Sequence, residues 1–142
     1  MHGDENILGE KKYSITDAEW KVMRVLWKLN ANSPENKLPL GDILTELTPE
    51  TAWNMNTVRT LLIRLAEKKI IVMEKSGSKF HKYYAAAKED DCVIRETKSF
   101  VDKFFGGSAY LMFSALLKNG ELSAGEQSEI LKLIEEGEGK KQ

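Results

Sequence analysis

The chain has 142 residues, 42% hydrophobic and 30% charged, with three prolines and a formal net charge of −1, enough for one good core or for a compact domain plus a helical appendage. Met1–Lys12 is polar and has no apolar signal segment, and the longest apolar run, Ala109–Leu117, is about half the length that spans a bilayer. A single cysteine, Cys92, excludes an intramolecular disulfide, and two isolated histidines, His2 and His81, make no metal site, so a cytoplasmic protein without metal, cofactor or membrane partner is expected.

Residues 1–14 carry no periodicity and read as a flexible arm. Thr16-x-x-Glu19 fits a capping box that opens a helix, and Val22, Met23, Leu26 and Leu29 recur behind it at helical spacing, with Trp20 and Trp27 as core aromatics. Asn30–Pro39, with Asn, Ser and two prolines, reads as a loop. Leu40, Ile43, Leu44 and Leu47 then form an i, i+3, i+4, i+7 stripe, and Thr48-Pro49 ends that helix because the residue before proline disfavours it. Asn54 is a suitable N-cap for a further helix running to about Lys68. Ile70–Met73, Ser76-Gly77-Ser78 and Phe80–Tyr84 read as a β-hairpin in which His81 is a cross-strand neighbour and Tyr83 and Tyr84 pack the strand. Helix, helix, helix, hairpin is the order of a winged helix-turn-helix, predicted over residues 15–87.

Residues 88–136 read as an all-helical region. Val93, Thr97, Phe100, Val101 and Phe104 recur at helical spacing, Gly106-Gly107 breaks the pattern, and a last helix beginning near Leu122-Ser123 carries Ile130, Leu131, Leu133 and Ile134. Ala109–Lys118 is apolar nearly all round and must be buried on most sides, yet three short helices offer it no partner. A second copy of the chain would supply one. The candidate dimer interface is Phe100, Phe104, Phe105, Tyr110, Leu111, Phe113, Leu116, Leu117, Ile130, Leu133 and Ile134. Residues 137–142 read as a disordered charged tail. The expected class is therefore mainly α with a small β-hairpin wing: an N-terminal winged helix-turn-helix followed by a helical dimerisation domain.

Charge is unevenly spread. Between Asn54 and Ala87 seven Lys/Arg (Arg59, Arg64, Lys68, Lys69, Lys75, Lys79, Lys82) face two acids (Glu67, Glu74), whereas from Lys88 onward eight bases face eleven acids. Phosphate binding follows the local field and not the net charge. Within the basic stretch, Val58, Leu61, Leu62 and Leu65 form one helix face, and Asn56, Arg59, Thr60 and Ile63 form another. The second face carries the groups that read base edges: guanidinium for guanine, amide for adenine, apolar carbon for the thymine methyl. With Thr57 and Arg64 these make the candidate recognition set. Thr51, Asn54 and Thr57 near the helix start, and Lys75, Ser76, Ser78 and Lys79 at the hairpin tip, are candidate phosphate contacts. The alternative is a winged helix used only for protein–protein assembly. No Ser/His/Asp, Cys/His or paired-carboxylate arrangement points to an enzyme.

Ile15-Thr-Asp-Ala-Glu-Trp20-x-Val-Met23, Asn56-Thr-Val-Arg-Thr-Leu-Leu-Ile-Arg-Leu65 with Lys68-Lys-Ile-Ile71, Lys88-Glu-Asp-Asp91 and Lys98-Ser-Phe-Val-Asp-Lys-Phe-Phe-Gly-Gly107 resemble the penicillinase-repressor family, BlaI/MecI type with the CopY copper repressors. The resemblance, from about Ile15 to Glu135, implies a homodimeric transcriptional repressor on a dyad-symmetric operator, commonly built on a TACA/TGTA core. Thr57, Arg59 and Thr60 match the residues the family uses in its recognition helix. The copper branch ends in a cysteine cluster that this chain lacks, so the BlaI/MecI type fits better. In that type a regulatory protease relieves repression by cutting the dimerisation helices, typically at an Asn-Phe bond. The corresponding place here is Ala115-Leu116, which departs from that bond.

Overall fold

The computed structural model describes residues 14–76 and 80–141, so the arm expected before residue 15 lies outside it except for Ser14. Helix α1 (Asp17–Lys28) opens with the reciprocal cap expected from its sequence: Glu19 N donates to Thr16 Oγ1 at 3.2 Å, and Thr16 N donates to Glu19 Oε1 at 2.9 Å. Its inward face buries Val22, Met23, Val25 and Leu26. Asn30 closes the helix with φ 59°, a left-handed conformation that Asn tolerates better than most side chains. Trp20 and Trp27 sit half-buried at the rim of the core, not in its centre, as an edge-to-face pair with ring centroids 5.5 Å apart. Trp27 Nε1 donates to the Ala87 carbonyl at 3.1 Å, so the indole dipole is satisfied while its ring is packed.

Helices α2 (Leu40–Leu47) and α3 (Met55–Glu67) complete a three-helix layer with α1. Ile43 and Leu47 from α2 and Val58, Leu61, Leu62 and Leu65 from α3 join the α1 side chains in one core. The segment expected to be a loop is more ordered than its composition indicated. Residues Pro34–Asn36 form a 3-10 turn, and Leu38–Pro39 form a two-residue strand, β1. Two residues are too few to show any alternation, and proline is acceptable there because β1 lies at the sheet edge. β2 (Ile71–Ser76) and β3 (Phe80–Ala85) follow α3 as an antiparallel hairpin, and β1 adds to the other side of β3, giving the order β1-β3-β2. Three helices, a small antiparallel sheet and a hairpin after the third helix constitute a winged helix. Replacing Leu62, fully buried, with Ala is expected to destabilise this unit by about 2–5 kcal/mol in a denaturant titration, by lost transfer energy plus a cavity.

The chain divides into two compact units between Thr97 and Lys98, inside helix α4 (Glu89–Phe105) and later than the boundary expected after residue 87. The reason is Cys92, 1% exposed and part of the first unit's core, which ties the first turns of α4 to that unit. Burial, then the neighbouring Asp91 and Glu96 carboxylates, push its thiol up to about 11, so it is inert at neutral pH.

The second unit holds the end of α4, α5 (Ala109–Lys118) and α6 (Ala124–Lys141). Gly106 and Gly107, at φ 57° and 87°, turn the chain after α4 in a region costly for other residues. Ser108 caps α5 by accepting from Leu111 N at 3.1 Å, and Ser123 with Glu126 forms a capping box for α6. Helix α6 continues to Lys141, through the stretch expected to be a disordered tail. Glutamate and lysine are good helix formers there, and lysines at a helix C-terminus oppose the negative end of its dipole, which outweighs two glycines. Among the described residues, no helix is long and apolar enough to cross a membrane.

Candidate nucleic-acid interface

Helix α3 presents two chemically distinct faces, and its cap fixes where they begin. Asn54 Oδ1 accepts from Thr57 N at 2.9 Å, satisfying one of the orphan amides of the first turn. Val58, Leu62 and Leu65 are fully buried and Leu61 is nearly so. On the opposite side Asn56, Arg59, Thr60, Ile63 and Arg64 are exposed, and Thr57 is half-buried. Each sequence-predicted recognition residue therefore reaches the surface of one helix, with Ile63 an exposed aliphatic group (38%) among polar ones.

One coupling within that face is invisible in the sequence. The Arg59 guanidinium donates from Nη1 to Asn56 Oδ1 at 2.8 Å, three residues apart along the helix. The two residues expected to read separate bases are thus joined, and Asn56 orients the guanidinium of Arg59 before any ligand arrives. Arg59 also acts on Tyr83 of β3: burial raises the Tyr83 phenol above its ordinary pKa, and the Arg59 charge opposes that rise. Arg59 on α3 is thus near enough to β3 for its charge to be felt at Tyr83.

Thr51 is half-buried in the turn between α2 and α3. Its hydroxyl donates to the Leu47 carbonyl at 2.9 Å and receives a longer contact of 3.4 Å from Trp53 N, so it holds the turn between α2 and α3. In the free chain that proton has a partner in the turn. The cap uses Asn54 Oδ1, an acceptor, and Asn54 itself is exposed. On the wing, Lys75 is exposed and lies opposite His81, which is half-buried in the register expected of a cross-strand neighbour. The Ser76 side chain, Ser78 and Lys79 lie outside the described residues. Tyr83 is buried and Tyr84 half-buried, in keeping with strand packing. Glu74 is paired with Lys37 at 3.0 Å, which removes one acidic group from the field of the wing.

In the second unit the candidate dimer residues share one property: in the single chain they are left exposed or half-buried. α5 buries no residue, although it is apolar nearly all round. Tyr110 is 76% exposed and Leu133 66%, and Phe100, Phe104, Leu111, Phe113, Leu117 and Ile134 are exposed as well. Phe105, Leu116 and Ile130 are half-buried. Tyr110, Phe113, Leu117, Leu122, Ile130 and Ile134 line an apolar groove of about 560 Å³ between α5 and α6.

Comparison with known proteins gives this geometry a context. The family model described as penicillinase repressor matches residues 15–136. The penicillinase repressor of Bacillus licheniformis is 30% identical over 127 residues, which cover 89% of this chain and 94% of that protein. The methicillin resistance regulatory protein MecI of Staphylococcus aureus is 28% identical over 127 residues, covering 89% of this chain and 98% of its own. Among solved structures, the DNA-binding domain of the repressor BlaI is similar with a TM-score of 0.44 and 30% identity, over 54% of this chain and 85% of that one. The monomeric form of Bacillus licheniformis BlaI in complex with the blaP half-operator gives a TM-score of 0.43 and 29% identity, over 55% and 87%. By the extent of these sequence matches, the chain belongs to the penicillinase repressor family, a family of transcriptional repressors and not of enzymes.

Proposed function

We propose that this protein is a cytoplasmic, sequence-specific DNA-binding repressor that works as a homodimer on a dyad-symmetric operator. The observation that carries the reading is the exposed face of α3, where Asn56, Arg59, Thr60 and Ile63 stand over a fully apolar buried face. A face that served only to meet solvent would be richer in Glu and Lys, and on α3 these appear only beyond Leu65. In this reading Arg59 donates to guanine, Thr60 and Ile63 meet a thymine methyl, Arg64 and the wing Lys75 neutralise phosphates, and the Thr57 hydroxyl donates to a phosphate oxygen. The apolar surfaces of α5 and α6 meet those of a second copy, which holds two recognition helices at the spacing of two half-sites. Bound to promoter DNA, such a dimer occupies sequence that polymerase needs. Release of repression by a regulatory protease acting on the dimerisation helices follows the family pattern, at a bond that differs here from Asn-Phe.

Affinity for duplex DNA measured against salt tests the reading. Binding is expected to fall linearly with log salt, by roughly 0.9 log unit per phosphate neutralised. Lys75→Ala is expected to weaken all sequences alike and to lower that slope by about one. A chain that shows no salt-dependent binding to duplex DNA would instead be a protein–protein module.

A further inference from the structure

Among the described residues of the first unit, the Glu19–Lys68 ion pair stands apart from the three others whose distances are known. Lys21–Glu50 and Lys28–Glu46 lie at the surface, and Lys37–Glu74 is half-buried with neither partner removed from water. Glu19, by contrast, is 1% exposed, and Lys68 Nζ lies 2.6 Å from its Oε1. The same Oε1 accepts from Thr16 N at 2.9 Å, and the same Nζ donates to the Ser14 carbonyl at 2.8 Å. A carboxylate removed from water this far is tolerated only with such partners, and removing one partner alone leaves an uncompensated buried charge. Its place in the fold is specific. Glu19 stands in the first turn of α1, while Lys68 is the C-cap of α3, followed by Lys69 at φ 66° and by Ile70, whose amide donates back to Leu65 O at 3.0 Å.

We infer that Glu19 and Lys68 are positioning residues for DNA recognition, a clamp that fixes the C-terminal end of α3 against α1 and so sets how its other end meets the groove. The inference rests on the reading of α3 as the recognition helix. Its mechanical basis is leverage. Arg59 lies nine residues from Lys68, about 13 Å along a helix, so a tilt of about 10° at the clamp moves the guanidinium end by about 2 Å. Hydrogen bonds to base edges tolerate a few tenths of an ångström, whereas phosphate attraction varies smoothly with distance. Loosening the clamp therefore erodes discrimination between sequences and leaves non-specific binding largely intact.

The test uses the full chain, a duplex selected from a random pool with the wild type, and a scrambled duplex of the same length. In the double variant Glu19→Gln/Lys68→Met, the amide still accepts from Thr16 N, the Met keeps the apolar stem, and no unpaired charge is buried. It is expected to melt cooperatively, bind the scrambled duplex within about twofold of wild type, and lose about tenfold in the ratio of selected to scrambled affinity. Lys68→Arg, which keeps the charge pair, is expected to restore most of that ratio. An unchanged ratio in the folded double variant overturns the inference, as does an equal loss on both duplexes, which would make Lys68 a simple phosphate contact. If the double variant does not fold, Glu19→Gln alone is measured in the same way, and an unchanged ratio again overturns it. A wild type that selects no sequence would count against the DNA-binding reading itself, a different result from either.

Discussion

Replacing Arg59 with Ala is expected to weaken binding to a selected operator by about 1–3 kcal/mol, or roughly tenfold to more than a hundredfold, and to relax preference at one base pair of each half-site. The expectation follows from position and preparation together. Arg59 is exposed on the outer face of α3, and Asn56 holds its guanidinium through a 2.8 Å hydrogen bond. A donor already oriented loses less side-chain freedom on binding, so more of its interaction appears as affinity. The same bond makes the two residues non-additive. Asn56→Ala in the Arg59→Ala background is expected to cost clearly less than in the wild type, and a double-mutant cycle on operator affinity measures the difference. Because Arg59 is exposed, its loss should leave the melting temperature nearly unchanged. Equal operator affinity of Arg59→Ala and wild type would remove α3 as the reading element.

The second large effect concerns the C-terminal unit. A chain ending at Thr97 keeps Cys92 in the core it belongs to and loses α5, α6 and the exposed Phe100 and Phe104. It is expected to fold as a monomer and to bind the selected operator some 10²–10⁴ times more weakly, because the second half-site is then no longer engaged at high effective concentration. Ending the chain at residue 87 is the poorer experiment, since it takes from the first core a residue that is 1% exposed. Sedimentation and operator titration of the two lengths together separate dimerisation from reading. A monomeric truncation that binds as tightly as the full chain would contradict the role given to the apolar helices.

The parts of this molecule that were legible in its sequence are those governed by local rules. The stripe Val58, Leu61, Leu62 and Leu65 has a helical period, so both faces of α3 could be assigned before any coordinates. Thr16 with Glu19, and Asn54 before α3, are caps whose partners lie within a turn. The apolar surround of α5, which leaves Tyr110 and Leu111 exposed in the single chain, is a short-range pattern too. What escaped depends on distance or on brevity. β1 is two residues paired to a strand more than forty positions later, and nothing local marks it. Glu19 meets Lys68 across 49 residues, and Trp27 meets Ala87 across 60. The unit boundary moved because Cys92, a small apolar side chain in an otherwise charged helix turn, is drawn into the core. The bond from the Thr51 hydroxyl to the Leu47 carbonyl has no signature in the sequence either.

The central claim is that two copies of this chain read DNA together, and the most direct measurement is selection of duplexes from a random pool with the full-length protein at physiological salt. A homodimer is expected to enrich a site of two inverted half-sites whose centres lie about one helical turn, roughly 34–36 Å, or a multiple of it apart. Each half-site is expected to hold a guanine for which Arg59→Ala, selected in parallel, shows no preference. Enrichment of a site without dyad symmetry, or no enrichment at all, would contradict it.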